Sequence, residues 1–259
     1  MKIAVSGKGG VGKTTVSAFL SMWLANQGHK VLAIDADPDS NLRTALGVPN
    51  ARDILPLTHM KELIAERTGA MPGTFGGFFK MNPKVDDLPE KIAVPVRENL
   101  KLLVMGGVKK GGGGCVCPEN VMLKNLVVHL ILGRDEVIIM DMEAGIEHLG
   151  RATSAGVDLL LLVVEPGRRS IETAVRIKEL AEDINLKRLG VVANKVRSDD
   201  DKEFIKKALP GFELVGFLPY DPKIIEADLK GIFAEDVAPE TRNGLVAIGE
   251  YCLNLSGKQ

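Results

Sequence analysis

The chain has 259 residues, of which 45% are hydrophobic and 26% are charged, values typical of a globular protein that buries a core without disulfide or metal support. Its formal net charge of −1 gives no overall attraction to nucleic acid or anionic lipid, so we expect no nucleic-acid and no membrane partner. The first ten residues do not form a secretory signal, no stretch approaches the roughly 18–20 apolar residues of a membrane span, and the three cysteines lack a disulfide-framework spacing, so we expect a reduced, cytoplasmic protein.

Short apolar runs alternate with amphipathic stretches along the chain. Several runs are continuous blocks of Val, Ile and Leu, the pattern of strands buried on both faces of a parallel sheet. The predicted strands are 2–5, 30–35, 100–105, 136–141, 159–164, 188–193 and 213–218, and the predicted helices are 14–27, 118–132, 170–184, 200–208 and one within 239–255. This alternation predicts an α/β fold, a doubly wound, mostly parallel sheet of about seven or eight strands flanked by helices, in a single domain spanning residues 1–259.

The sequence SGKGGVGKTT at residues 6–15 follows the first predicted strand and opens the first predicted helix. It contains the phosphate-loop pattern G-x-x-x-x-G-K-T, in which glycines let backbone N–H groups face the phosphates and the helix N-terminus adds positive potential. Lys13 would reach the β- and γ-phosphates, and the Thr14 hydroxyl would bind Mg²⁺. The predicted nucleotide-binding residues of this loop are Lys8, Gly9, Gly10, Val11, Gly12, Lys13, Thr14 and Thr15.

A second lysine, Lys8, lies five residues before Lys13. Its side chain cannot easily reach the phosphates of its own loop alongside Lys13, and one lysine suffices there. A cation at this position would be useful if it reached the nucleotide of a facing subunit, where it would neutralise charge on the transferred phosphoryl group as an arginine finger does. Lys8 therefore favours a homodimer over the simpler interpretation of a solvated loop lysine.

Residues 68–95 interrupt the alternation with a stretch rich in Gly, Pro and Phe. An irregular segment of this length in a compact domain is usually functional or mobile. Two interpretations stay open at this stage: a surface insertion whose phenylalanines pack on the sheet, and a partner-binding segment.

The segment GGGGCVCPEN places Cys115 and Cys117 two residues apart. In an extended segment such residues face the same side, so their sulfurs can converge on one metal ion. Pro118 suits the first position of a helix, and the helix N-terminus would favour the thiolate form of Cys117. Two thiolates do not complete a tetrahedral site, but a two-fold dimer that brings two such pairs together supplies four. The alternative is a pair of free cysteines near a surface loop.

Two other segments place acidic residues at or after the ends of predicted strands. DADPDSNL contains Asp35, Asp37 and Asp39, and VIIMDMEAG contains Asp141 and Gly145. A strand that ends in aspartate indicates little by itself. The two segments favour an ATPase through the resemblance described next, because with the phosphate loop they follow the order of that family's motifs.

The loop KGGVGKTT resembles the deviant Walker A loop of the P-loop NTPases that include the nitrogenase iron protein and the MinD and ParA ATPases. In that family the early lysine acts across a nucleotide-sandwich dimer. The resemblance implies that Lys8, Lys13 and Asp37 are catalytic, with Asp37 orienting or deprotonating the attacking water. It further implies that Gly145 senses the γ-phosphate.

The same resemblance implies the remaining nucleotide contacts. Asp35 and Asp141 match residues around Mg²⁺, which with Thr14 gives the predicted magnesium set. Asn194 and Lys195, in VVANKV, match the adenine-reading position, and Pro219, in LPYDP, matches a second base contact; turn formation alone would also explain Pro219.

A narrower resemblance covers essentially the whole chain. GGGGCVCPEN, DMEAGIEHLGR, VVEPGRRSIETA and LPYDPKIIEADLKG are similar to segments of the CooC-type nickel-insertion accessory ATPases of carbon monoxide dehydrogenase and acetyl-CoA synthase. In that family the two cysteines of each subunit bind one nickel or zinc ion at a dimer interface. The resemblance therefore implies ATP/ADP, Mg²⁺ and Ni²⁺ (or Zn²⁺) as ligands, Cys115 and Cys117 as metal ligands, a nucleotide- and metal-dependent homodimer, and a nickel enzyme as client.

Two other classes of function compete with this interpretation. Four thiolates at a dimer interface could hold an iron–sulfur cluster, as in an electron-transfer or cluster-assembly ATPase. A MinD/ParA-like positioning ATPase would need a basic amphipathic helix or a basic DNA footprint, and the C-terminal run GLVAIGEYCLNLSGKQ carries Lys258 as its one basic residue.

Overall fold

The computed structural model describes residues 1–72, 78–106, 118–133, 136–146, 149, 154 and 156–256. The metal-binding prediction for Cys115 and Cys117 therefore lies outside the described residues. The strands are β1 Lys2–Ser6, β2 Val31–Asp35, β3 Val94–Arg97, β4 Leu100–Val104, β5 Val137–Asp141, β6 Leu159–Val164, β7 Leu189–Val196 and β8 Glu213–Pro219. The helices are α1 Lys13–Asn26, α2 Leu42–Ala45, α3 Lys61–Thr68, α4 Leu88–Ile92, α5 Pro118–Leu132, α6 Arg168–Asp183, α7 Asp199–Ala208, α8 Pro222–Lys230 and α9 Pro239–Ser256, with short 3₁₀ turns at Ala51–Asp53 and Leu57–His59.

The strands form one eight-stranded sheet in the order β3-β4-β2-β5-β1-β6-β7-β8. Every neighbouring pair is parallel except the edge pair β3–β4, which is antiparallel. The residues of β1, β2, β5 and β6 are all buried, as their unbroken Val, Ile and Leu runs predict. The predicted fold class is confirmed.

Helices cover both faces of this sheet. Side chains from α1 and α9 pack on one face, around Leu20, Leu161 and Ile248. Side chains from α3, α5, α6 and α7 pack on the other face, around Leu126 and Leu162. Each fully buried Leu or Ile of these layers contributes roughly 1.5–3 kcal/mol, so the two cores hold the sheet rigid and fix the positions of the loops at its edge.

Three elements lie within or beside the segment that interrupts the sequence pattern. α3 ends at Thr68, α4 covers Leu88–Ile92, and β3 follows at the sheet edge. Arg67 and Asp87 join the two helices through paired hydrogen bonds of 2.9 and 2.8 Å, and this pairing with Arg67 holds the pKa of Asp87 well below its usual range. Phe78 is fully exposed, so at least this phenylalanine does not pack on the sheet.

Cys252, which the sequence leaves without a role, lies on α9 and is fully buried in the core that α1 and α9 form with the sheet. Burial raises the pKa of its thiol to about 12. We therefore expect the Cys252 thiol not to react with a disulfide reagent such as DTNB at pH 8 in the native protein, and to react once guanidinium unfolds the chain. The Cys252→Ser variant should give the same native thiol count as wild type; a count lower by one would contradict this.

Among the helices that the structure describes, none combines the length and the apolar character needed to span a bilayer.

Candidate nucleotide-binding site

The phosphate loop runs between β1 and α1, and two of its glycines, Gly7 and Gly12, are required by the space around them. Gly7 and Gly12 have φ angles of 147° and 98°, which other residues rarely adopt. A Cβ at Gly7 would lie 2.3 Å from the carbonyl oxygen of Val163, and a Cβ at Gly12 would lie 2.3 Å from the Asn194 amide nitrogen. Gly12 caps α1 without a side-chain hydrogen bond, so the first backbone N–H groups of this 14-residue helix are available to an anion.

Lys13 and Thr14, the first two residues of α1, lie beside the carboxylate that ends β5. Burial raises the pKa of Asp141 to about 6, while a hydrogen bond from Thr14 and the charge of Lys13 oppose the rise. The Ser17 hydroxyl donates to Asp141 Oδ1 at 3.1 Å. The sequence pattern does not single out Ser17, although its place one helical turn after Thr14 puts both hydroxyls on the same side of α1.

Asp35 and Asp141 occupy equivalent positions on the adjacent strands β2 and β5. Burial, and next to it the charge of Asp141, raises the pKa of Asp35 to about 7. The N–H of Leu42 donates to Asp35 Oδ2 at 2.9 Å, and this hydrogen bond acts to lower the pKa. Asp35 Oδ1 and Asp141 Oδ2 are buried and have no hydrogen-bond partner among the described residues.

This pair of carboxylates fits a magnesium ion. Hard oxygen donors are the ligands that Mg²⁺ takes, and a cation would balance two buried negative charges that repel each other. The Thr14 hydroxyl lies against the same carboxylate. The residues predicted around Mg²⁺, namely Thr14, Asp35 and Asp141, are therefore brought together at the amino end of α1.

Asp37 lies at the mouth of this acidic pair and is partly exposed. Its charge raises the pKa of both Asp35 and Asp141, which places its carboxylate near theirs. Its Oδ1 accepts the N–H of Asp39 at 3.0 Å, and its carbonyl accepts the N–H of Ser40 at 2.9 Å, so a tight turn orients the side chain. Its role toward the attacking water stays a prediction.

Ser6, the last residue of β1, joins the phosphate loop to the segment after β5. Its buried hydroxyl lies 3.0 Å from the carbonyl oxygen of Glu143 and 2.8 Å from that of Gly145. Gly145 itself donates its N–H to Glu143 at 2.7 Å. These bonds hold Gly145, the predicted γ-phosphate sensor, against the strand that leads into the loop. Ser6 is a contact that the sequence analysis missed.

Lys8 lies at the exposed crown of the loop, next to Gly9 and Gly10. No hydrogen bond or ion pair of its ammonium group occurs within the described part of the chain. The conformation is consistent with a cation that reaches away from its own loop, and its action on a second subunit stays a prediction.

Asn194 and Lys195, which are predicted to contact the adenine base, also contact the backbone of the phosphate loop. Asn194 Nδ2 donates to the carbonyl of Val11 at 2.8 Å, and Lys195 Nζ donates to that of Gly10 at 2.5 Å. Lys195 also pairs with Glu165, a residue that the sequence analysis missed. Pro219 ends β8 at the same edge of the sheet. The base contacts of all three predicted residues stay predictions.

Asp221, two residues after Pro219, has a structural role. Its Oδ1 accepts the N–H of Lys223 at the start of α8, and its Oδ2 accepts the N–H of Ala238 at 2.7 Å and the hydroxyl of Thr241 at 2.9 Å. Burial acts to raise the pKa of Asp221, but these hydrogen bonds together keep it below its usual value.

The predicted metal pair cannot be placed, because residues 107–117 are outside the described part of the chain. α5 begins at Pro118, as the sequence predicts for the helix that follows the cysteines. Within the described residues no group of three or more His, Cys, Asp or Glu side chains could hold a metal ion.

A glycine-rich loop between a buried strand and a helix, with two buried carboxylates at the adjacent strand ends, defines a P-loop ATPase. Residues 2–233 match the profile of the CobQ/CobB/MinD/ParA nucleotide binding domain. The chain belongs to this family, and within it to the CooC-type deviant Walker A ATPases.

Several relatives match most of the chain, among them the following two. A protein from Methanocaldococcus jannaschii described as an uncharacterized ATP-binding protein is 51% identical, over 89% of this chain and 90% of its own length. The carbon monoxide dehydrogenase accessory protein CooC of Rhodospirillum rubrum is 47% identical, over 94% of this chain and 92% of its own length.

The fold is shared with solved structures. The septum site-determining protein MinD of Pyrococcus horikoshii, in complex with Mg-ADP, superposes with a TM-score of 0.70 at 24% identity, covering 99% of this chain and 97% of that one. MinD in the MinC:MinD complex of Aquifex aeolicus gives a TM-score of 0.69 at 25% identity, covering 98% and 95%.

Proposed function

We propose that this ATPase is a metallochaperone that uses ATP hydrolysis to help insert nickel into carbon monoxide dehydrogenase or acetyl-CoA synthase. The observation that carries the proposal is the near full-length similarity to a carbon monoxide dehydrogenase accessory protein, in a chain that also has a Cys-x-Cys motif. The client enzyme, the nickel cargo and the dimer are parts of the proposal.

ATP hydrolysis would use the residues gathered at the carboxyl edge of the sheet. The loop N–H groups and Lys13 bind the phosphates, and Gly145 contacts the γ-phosphate. Thr14, Asp35 and Asp141 would hold Mg²⁺, which neutralises charge on the β- and γ-oxygens when bound. Asp37 orients the attacking water, and the partner subunit would supply a second Lys8 to the transferred phosphoryl group.

Metal delivery would follow from coupling between the nucleotide sites and the metal site of a dimer. If ATP draws two subunits together, the geometry of four thiolates, two from each Cys115 and Cys117 pair, depends on the nucleotide bound. Metal affinity and nucleotide affinity are then linked reciprocally, typically by a factor of about 5–150. ATP binding and hydrolysis could therefore change how tightly the cargo ion is held.

The cysteines are tested by metal stoichiometry. We expect one nickel or zinc ion per dimer of wild type and none in the Cys115→Ala/Cys117→Ala variant, measured by equilibrium dialysis and elemental analysis. Cys252→Ser is the matched control and should bind like wild type, because that thiol is buried in the core. Unchanged stoichiometry in the double variant would remove the cysteine pair from the site.

The coupling is tested by repeating the nickel titration with ADP, with a non-hydrolysable ATP analogue and without nucleotide. The proposal requires affinities that differ between these states. Equal affinity in all three would exclude nucleotide-controlled delivery. An absorption band of iron–sulfur character in anaerobically purified protein would favour the competing electron-transfer function.

A further inference from the structure

Lys195 has an unusual backbone conformation. Its φ angle is +57°, in the left-handed region, which a long side chain such as lysine rarely occupies. Among the described residues the other non-glycine positions with positive φ are Ser40, Asn50 and Asn185. Such a conformation is unfavourable and persists where surrounding contacts hold it, often at functional sites.

The contacts that hold Lys195 join three strand ends. The register of β7 against β8 shifts between Ala193 and Val196, so the ladder is irregular at this residue and the side chain is re-aimed. Lys195 Nζ then reaches the carbonyl of Gly10 at 2.5 Å and Glu165 Oε2, just after β6, at 3.1 Å. Glu165 supplies the counter-charge that orients the ammonium group.

In the crown of the loop, residues 8–11, the Val11 side chain is buried in the core, whereas Gly9 and Gly10 have few supports. A Cβ at Gly9 or Gly10 would meet no atom within 4 Å. Within the crown the N–H of Val11 donates to the carbonyl of Lys8 at 3.4 Å, a long hydrogen bond. The Asn194 amide holds the Val11 end at 2.8 Å, and Lys195 holds Gly10.

We propose that Lys195, oriented by Glu165, is a positioning residue that fixes the crown of the phosphate loop. By holding the Gly10 carbonyl it sets the direction of the loop N–H groups and of the Lys8 side chain before ATP binds. The role depends on ATP hydrolysis and not on metal delivery, and it is separate from the adenine contact predicted for this residue. A loop displaced by about 1 Å loses roughly 10²-fold in rate in other enzymes.

The Lys195→Gly variant tests this role, because glycine accepts the left-handed backbone while the ammonium group is lost. We expect its thermal midpoint to stay close to that of wild type, because relief of the left-handed backbone offsets the lost contacts and the greater freedom of glycine in the unfolded chain. We expect its kcat for ATP to fall about 10- to 100-fold. Asn185→Gly is the matched control: it relieves the same kind of backbone conformation at φ +58° on an exposed turn and should leave kcat unchanged. Lys195→Arg should recover part of the rate, and Glu165→Gln should lower kcat less than Lys195→Gly does.

Comparing the effect of Lys195→Gly on ATP and on ITP hydrolysis distinguishes a role in positioning the loop from a contact with the base. ATP and ITP differ at the purine six-position, so a residue that positions the loop affects both by the same factor. A loss confined to ATP would show a base contact and overturn the proposal. A kcat of Lys195→Gly within twofold of wild type would also overturn the proposal. A rate loss accompanied by a markedly lower thermal midpoint would overturn it too, because it would indicate a merely structural residue.

Discussion

Replacing Lys8 with alanine should lower ATP hydrolysis by about 10³-fold while ATP still binds. The expected factor is at the lower end of the effect of a cation supplied to a phosphoryl group from a neighbouring subunit. Nucleotide binding should survive, because Lys13 and the N-terminus of α1 are intact and the Lys8 ammonium group makes no hydrogen bond in the described part of its own chain. Phosphate release and the affinity for a fluorescent ATP analogue are the two measurements.

A mixing experiment shows in which subunit Lys8 acts. A Lys8→Ala subunit binds ATP with an intact Lys13 but cannot supply Lys8 to its partner. A Lys13→Gln subunit can supply Lys8 to its partner but has a damaged phosphate loop of its own. A heterodimer of the two has one complete site if Lys8 acts across the interface, so an equimolar mixture should recover about a quarter of the wild-type rate. The control replaces Lys13→Gln by the double variant Lys8→Ala/Lys13→Gln, which should recover nothing. No recovery in the first mixture would show that Lys8 acts within its own subunit or not at all.

The parts of the molecule that the sequence predicts well are those controlled by local pattern. The apolar runs identify seven of the eight strands, most clearly β1, β2, β5 and β6, which are buried on both faces and need unbroken apolar runs. The phosphate loop is identified because the turn admits glycine alone at Gly7 and Gly12. Asp35 and Asp141 are identified because each ends a predicted strand, whereas their pairing as neighbours in register is seen only in the structure.

The parts that escape prediction depend on tertiary contacts. β3 is a four-residue antiparallel edge strand whose residues alternate between half-buried and exposed, so it lacks the apolar run of the central strands. The sequence pattern predicts no helix at Pro222–Lys230, where α8 lies; Asp221 caps this helix and ties it to Thr241, a contact 20 positions away. The Lys195 conformation and its pairing with Glu165 join residues 30 positions apart, which no local spacing reveals.

Replacing Asp141 with asparagine should abolish Mg²⁺-dependent ATP hydrolysis and stabilise the metal-free protein. Asparagine removes one of two charges buried side by side, and its amide nitrogen can donate where Asp35 Oδ1 has no partner among the described residues. At pH 8 with EDTA we expect a gain of about 1–2 kcal/mol, or roughly 3–6 °C in thermal midpoint for a chain of this size. Differential scanning fluorimetry and a phosphate-release assay measure the two effects.

The pH dependence of the stability gained by Asp141→Asn shows whether repulsion between buried carboxylates is its cause. Burial raises the pKa values of Asp35 and Asp141 to about 7 and about 6, above the ordinary 3.8, so between about pH 4 and 7 the folded protein binds more protons than the unfolded chain. The stability of metal-free wild type therefore falls as pH rises through this window, and the advantage of Asp141→Asn should shrink toward pH 5. Asp221→Asn is the matched control of opposite sign, because both oxygens of that buried carboxylate accept hydrogen bonds and its pKa is lowered. If both variants lowered the thermal midpoint in EDTA, Asp35 and Asp141 would not be a strained pair waiting for a cation, and the magnesium site would have to be sought elsewhere.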